Sequence, residues 1–159
     1  MKYLIKENID KTISIHKERL LTHYSIDEIV FNIEMQLKNN LNLLYKENTI
    51  LKKRFIVSPY IYCEKYKNVI EDNQIFPLVF FPSIFTLLDD KIEIEYLDLQ
   101  DPLEFLLIDL INYDESFTGI ELISIIREQF INVKKKDLEP KINMLLRKFL
   151  SLQFLNNII

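Results

Sequence analysis

The side chains best equipped for chemistry in this chain are two histidines, one cysteine and pairs of adjacent acids such as Asp89-Asp90 and Asp114-Glu115. His16 and His23 stand seven residues apart, two turns along a helix, whereas two ligands on one helix grip a single ion when they are three or four apart. Glu18, Arg19 and Thr22 between them offer no better set, so both histidines read as solvated or structural. Cys63 lies between Tyr62 and Glu64 with no histidine near it in sequence, and an anionic neighbour works against a reactive thiolate. Asp89-Asp90 and Asp114-Glu115 fall in expected turns, where hydration is easy, so they read as solvated turn residues rather than an acid–base pair. A single glycine, Gly119, cannot build a phosphate-cradling loop. No catalytic residue, no metal ligand and no cofactor is expected.

Charge is the stronger signal. From Asp89 to Glu121 there are eleven acids against Lys91 alone, a net of −10, and from Leu122 to Ile159 seven bases against three acids, a net of +4. Two oppositely charged walls of this kind suit the binding of another chain.

The elements that must carry these charges follow from periodicity. Asn8 to about Tyr24 is helical. Ser25, with Glu28 three residues on, makes a capping box opening a second helix to about Lys46, whose apolar stripe is Ile29, Ile33, Leu37, Leu41 and Leu44. Phe55-Ile56-Val57 and Tyr60-Ile61-Tyr62 read as short strands split by Pro59, and Leu78–Phe81 as a short apolar run between prolines. A hairpin is expected from Ile84–Leu88, through Asp89-Asp90, to Lys91–Leu97, with Ile92, Ile94 and Tyr96 on one face. Three helices then follow. Asp101-Pro102 starts a largely buried one reaching about Asn112. Thr118-Gly119-Ile120-Glu121 is a second capping box, with Leu122, Ile125, Ile126 and Phe130 facing inward. Asp137 caps the third, with Pro140 in its first turn and Leu138, Ile142, Leu145, Phe149 and Leu152 as its core stripe.

Composition bounds the rest. At 159 residues, with 48% hydrophobic and 28% charged, the chain has the makings of one substantial folded domain or two small ones and is not disordered. One cysteine excludes an internal disulfide. The start lacks a signal-peptide core, and Ile75–Leu88 is broken by Pro77 and Pro82, so a cytoplasmic protein without a membrane span is expected.

The order from Leu78 onward resembles a winged-helix domain with its sheet first, and among these the PqqD-like peptide-recognition domain. The matching residues are the Phe85–Leu97 hairpin, Leu99-Gln100-Asp101 leading to Phe105-Leu106-Leu107, Tyr113-Asp114-Glu115-Ser116, Phe117 to Leu122, and Ile142 to Leu150 before Gln153-Phe154-Leu155. The resemblance covers about half the chain. Where that family often carries Asp-Gly before the second helix, this chain has Asp114-Glu115, and where it often ends the last helix in glycine, this chain has Ser151-Leu152-Gln153. The family binds the leader segment of a ribosomally made peptide and presents it to a modifying enzyme.

The sequence is therefore read as an α+β protein: a helical part over residues 1–75, with short extended segments, packed on a winged-helix-like unit over residues 76–159. The expected function is a non-catalytic recognition or adaptor subunit that binds a precursor or leader peptide as an added strand, with a modifying enzyme as protein partner. Ile92, Ile94 and Tyr96 on the strand and Lys141, Met144 and Lys148 on the last helix are the expected peptide-binding residues. The competing readings are a winged-helix regulator that binds DNA through Lys134–Lys136, Lys141, Arg147 and Lys148, and a purely structural subunit. An acidic wing carrying Asp89, Asp90, Glu93 and Glu95 would oppose phosphate, so nucleic acid is not the expected partner.

Overall fold

The computed structural model describes residues 2–71, 73–83, 91–99, 101–111 and 114–158, and the protein is α+β. In chain order its elements are β1 (Lys2–Tyr3), α1 (Lys6–His23), α2 (Ile26–Lys46), β2 (Arg54–Val57), β3 (Tyr62–Lys67), β4 (Ile75–Pro82), β5 (Ile94–Asp98), α3 (Pro102–Leu110), β6 (Phe117–Thr118), α4 (Gly119–Gln129), α5 (Lys135–Ser151) and β7 (Leu155–Asn157). The chain divides into two compact units. Unit 1 takes residues 1–34 and 59–105, and unit 2 takes residues 35–58 and 106–159. Neither unit is a continuous stretch, and a cut at residue 75 would fall at the first residue of β4.

Unit 1 is built on a four-stranded sheet in the order β1-β3-β4-β5. β1 runs parallel to β3, and the other neighbours are antiparallel. Leu78, Val79 and Phe80 are all fully buried, so both faces of β4 are covered, as a central strand requires. Its even-numbered face packs with Tyr66 of β3 and Ile9 of α1, with Ile13, Tyr62 and Ile94 at the margin. A second cluster joins Leu20 of α1, Ile29 and Ile33 of α2, Tyr60 and Ile92.

β4 is longer than its sequence suggests, running through both Pro77 and Pro82. The ladder explains how. Ser83 N–H donates to Glu93 O at 2.7 Å and Leu99 N–H to Pro77 O at 3.4 Å, which fixes the odd residues of β4 as the ones bonded to β5. The donor missing at Pro77 would face Leu99, one residue past the end of β5. The donor missing at Pro82 would face residue 60, before β3 begins. Each proline thus sits where the neighbouring strand has run out, and its cost is small.

Unit 2 carries a three-stranded antiparallel sheet in the order β6-β2-β7, together with α3 from residue 106 onward, α4 and α5. The α4 capping box is complete: Glu121 N–H donates to Thr118 Oγ1 at 3.1 Å and Thr118 N–H to Glu121 Oε2 at 3.2 Å. Inward residues are Leu122, Ile123 and Ile126, while Phe130, expected inside, is 48% exposed at the C-cap. α5 starts two residues before Asp137, with Lys134 as its N-cap, and this places Pro140 beyond the first turn. Lys136, whose carbonyl loses its partner there, is solvent-exposed, so water can supply the bond. Leu138, Ile142, Leu145 and Phe149 are buried as expected, joined by Leu146 and Leu150.

The stripe expected on α2 holds for Ile29 and Ile33 and then fails, since Leu41 is 50% exposed and Asn40 is buried. A strict four-residue repeat drifts about 40° per step around a helix, so by Leu41 it has left the face that Ile29 began. Asn40 occupies the face instead and donates from Nδ2 to Leu150 O at 3.2 Å and Leu155 O at 2.8 Å.

Two backbone positions give tests of this packing. Gln153 is the one non-glycine residue with positive φ among those described, at 62°. It ends α5 in a Schellman motif, with Phe154 N–H on Phe149 O at 2.8 Å, Gln153 N–H on Leu150 O at 3.1 Å, and the Phe149 and Phe154 rings 5.8 Å apart. A Cβ on a left-handed residue costs about 1 kcal/mol, so Gln153→Gly should raise the urea midpoint by an equivalent amount. Gly119 is the opposite case. An added Cβ would sit 2.8 Å from Leu51 Cδ2, 2.9 Å from Leu146 Cδ1 and 3.1 Å from Leu51 Cα. Gly119→Ala should therefore destabilise by about 1–3 kcal/mol in the same assay, because the close backbone atom cannot move aside as a side-chain tip can.

Candidate functional site

One edge of the unit 1 sheet is formed by β5, the other by β1. Register alternates along the antiparallel β4–β5 pair, with Phe81 opposite Glu95, Phe80 opposite Tyr96 and Pro82 opposite Ile94. Since Ser83 and Glu93 form a bonded pair, the bonded positions of β5 are Glu95 and Leu97. The N–H and C=O groups of Ile94 and Tyr96 point the other way, out of the sheet. Among the described residues no strand lies on that side. An exposed edge of this kind is a template for one more strand.

The side chains along β5 are unequal. Ile92, just before the strand, is 1% exposed and belongs to the core with Leu20, Ile29, Ile33 and Tyr60, so it is not presented to a partner. Ile94 is half-buried and touches both core clusters. Tyr96 is 47% exposed, with its ring 5.9 Å from that of Phe80. Glu95 is exposed, and Ser83 Oγ donates to its Oε1 at 2.9 Å. The expected first arm of the hairpin, Ile84–Leu88, and the Asp89-Asp90 turn lie outside the described residues. The strand that pairs with Ile94–Asp98 is Ile75–Pro82. An apolar run buried on both faces has to be paired on both sides, and β5 supplies the second.

The helix residues expected to bind peptide lie in unit 2. Lys141, Met144 and Lys148 are spaced three and four along α5 and all exposed, Met144 at 62%, away from the face that buries Ile142, Leu145 and Phe149. The strand trio therefore belongs to unit 1 and the helix trio to unit 2. Arg147 is not available to a phosphate. Its guanidinium donates to Glu47 O at 2.6 Å and Leu44 O at 2.8 Å, closing the end of α2. Asn143 does similar work one turn earlier, accepting from Ile50 N–H at 2.8 Å and donating to Asn48 O at 3.0 Å.

The histidines separate in role. His23 is exposed at the last residue of α1, whereas His16 is 3% exposed. Its Nε2 lies 2.9 Å from Tyr60 O, and a carbonyl can only accept, so Nε2 carries the proton and Nδ1 is left with a lone pair. Nδ1 has no hydrogen-bond partner. Beside it, a polar hollow of about 160 Å³ is lined by Thr12, Arg19, Tyr62 and Glu64. The Arg19 guanidinium stands 4.9 Å from the Tyr62 ring centre. Thr12 Oγ1 lies 3.0 Å from Glu64 Oε2 and within bonding distance of Tyr66 Oη. Thr12 Oγ1 also lies 3.0 Å from Asn8 O, and Tyr66 Oη donates to Glu64 Oε2 at 3.3 Å, so the two hydroxyls and the carboxylate form one shared network. Burial pushes the Tyr66 phenol up to about 12, which keeps it a donor. This cluster ties α1 to β3 and to the turn before it. Nothing in the sequence separated His16 from His23, since burial depends on a sheet formed some fifty residues later.

Among the described residues no group of three or more His, Cys, Asp and Glu side chains is placed to hold a metal ion, and no helix is long and apolar enough to cross a membrane. Cys63 is half-buried on β3, opposite Val79, and Asp114 and Glu115 are exposed in a turn.

Burial holds the His16 imidazole below its ordinary 6.5, with the Arg19 charge adding to the effect and the bond to Tyr60 opposing it. Below 6.5 the unfolded chain binds a proton that the folded chain refuses, so stability is whole above 6.5 and falls as pH drops toward the folded value. Urea midpoints measured from neutral to mildly acid pH should show that slope. In His16→Gln the part of it due to this residue should vanish, leaving a flatter profile.

Compared with family models, with curated proteins and with solved structures, the chain matches none.

Proposed function

We propose that this protein is a non-catalytic recognition subunit that takes an extended peptide as an added strand on the outer edge of β5, the enzyme acting on that peptide being a partner chain. The observation that carries the reading is the outward direction of the Ile94 and Tyr96 main-chain groups at the end of a four-stranded sheet. Main-chain bonds supply affinity that is indifferent to sequence. Tyr96, half exposed beside Phe80, offers the apolar contact that selects among peptides.

Unit 2 is read as a winged-helix-like module. What supports this is its element list: three successive helices, a two-residue strand leading into the second, and a three-stranded sheet in which β2 lies between the other two. The wing strands in this reading are β2 and β7 rather than the hairpin that the sequence suggested. DNA binding is disfavoured because Arg147, one of the five bases of α5 and the only arginine among them, is committed to carbonyls of unit 2.

The test uses a substitution that the ladder makes selective. Tyr96 donates no bond to β4, so Tyr96→Pro should leave the β4–β5 pair in place while removing an outward donor and crowding an incoming strand. A peptide selected from a random library against the full chain should protect the Ile94 and Tyr96 amides from exchange, and should lose at least tenfold in affinity for Tyr96→Pro. Duplex DNA binding with a steep salt dependence, and no protection of these amides by any selected peptide, would sink the proposal.

A further inference from the structure

We propose that the peptide taken by β5 is a basic one, alternating Lys or Arg with apolar residues. This rests on β5 being a peptide-accepting edge and goes on to name the chemistry of what it accepts.

Side chains of an added strand alternate between the two faces of the sheet, each opposite a residue of β5. On one face those β5 neighbours are Glu95 and, just before the strand, Glu93, both exposed. Glu95 uses Oε1 to accept from Ser83, which leaves its second oxygen for a partner. On the other face the neighbour is Tyr96, with Phe80 beneath it. A complementary strand therefore carries bases toward the glutamates and apolar side chains toward the tyrosine. The described residues around the strand strengthen the field: 91–99 and 101 hold four acids against Lys91, a net of −3. That potential also argues against a second copy of this chain as the occupant. Two β5 strands laid edge to edge would bring like charges into register, which destabilises pairing.

The experiment titrates the ¹⁵N-labelled full chain with three short peptides, acetylated and amidated at their ends, in which valine alternates with lysine, threonine or glutamate. At low salt the Val–Lys peptide should bind about twofold tighter than the Val–Thr peptide, as one cross-strand ion pair with Glu95 would give, and the Val–Glu peptide weakest. The preference should shrink as salt is added. Binding should slow exchange at Ile94 and Tyr96. A Glu93→Lys, Glu95→Lys double variant should invert the order. If that variant does not fold, Glu95→Gln should cut the Val–Lys preference about twofold. Equal binding of all three peptides, with the two amides protected, would overturn the basic specificity and leave the edge reading standing. No protection by any of them would overturn both.

Discussion

The C-terminal end of α2 is closed by side chains from another helix, and much of unit 2 follows from that constraint. A helix leaves its last carbonyls without donors, and the commonest remedy is a glycine in the left-handed region just past the end. With one glycine in the chain, and that one at the start of α4, the remedy is not at hand. α2 is closed instead by Arg147, which reaches across from α5 to Leu44 O and Glu47 O, and Asn143 secures Asn48 and Ile50 just beyond. Asn40 completes the set by donating to Leu150 O and Leu155 O. Three polar side chains thereby fix the helix–helix contact in register as well as in proximity, which apolar packing alone would leave freer to slide. α5 itself ends in a strained glutamine.

The same economy governs the sheet of unit 1. A central strand containing two prolines is unusual, and it is tolerated because each missing donor falls beyond the end of a neighbour. The parity that makes this possible also decides which groups of β5 face outward. Had the pairing slipped by one residue, the outward groups would belong to Glu93, Glu95 and Leu97, and Tyr96 would have changed faces with them. The proposed binding edge is thus set by the Ser83–Glu93 bond.

Local signals in the sequence carried the helices well. The Thr118–Glu121 capping box and the Ser25 cap, whose Oγ accepts from Glu28 N–H at 3.1 Å, are short-range chemistry and were legible, as was the core stripe of α5. What was not legible depended on distant partners. β3, Tyr62–Lys67, carries three charged residues among its six, and its Glu64 is held by Thr12 from α1, so polarity hid a strand. β2 was visible as a strand, but its partners at Phe117 and Leu155 were not. For the candidate site, Tyr96 was placed on a strand by the alternation of Lys91 to Leu97, and it lies on β5, 47% exposed. Ile92 was misjudged, because only the packing of Leu20, Ile29 and Tyr60 around it makes it core.

The interleaving of the two units has a consequence for how the chain is made. Synthesis is vectorial, and domains tend to fold as their residues emerge. Unit 1 is complete once residue 105 has left the ribosome, whereas unit 2 needs residues 35–58 from early in the chain and nearly everything to the C-terminus. β2 is the middle strand of its sheet, yet both of its neighbours are made last. During that interval Phe55 and Val57, buried in the finished protein, have no sheet to enter. A nascent chain stalled after residue 105 would hold a finished first unit beside an apolar strand with two bare edges, the kind of segment that holdase chaperones engage.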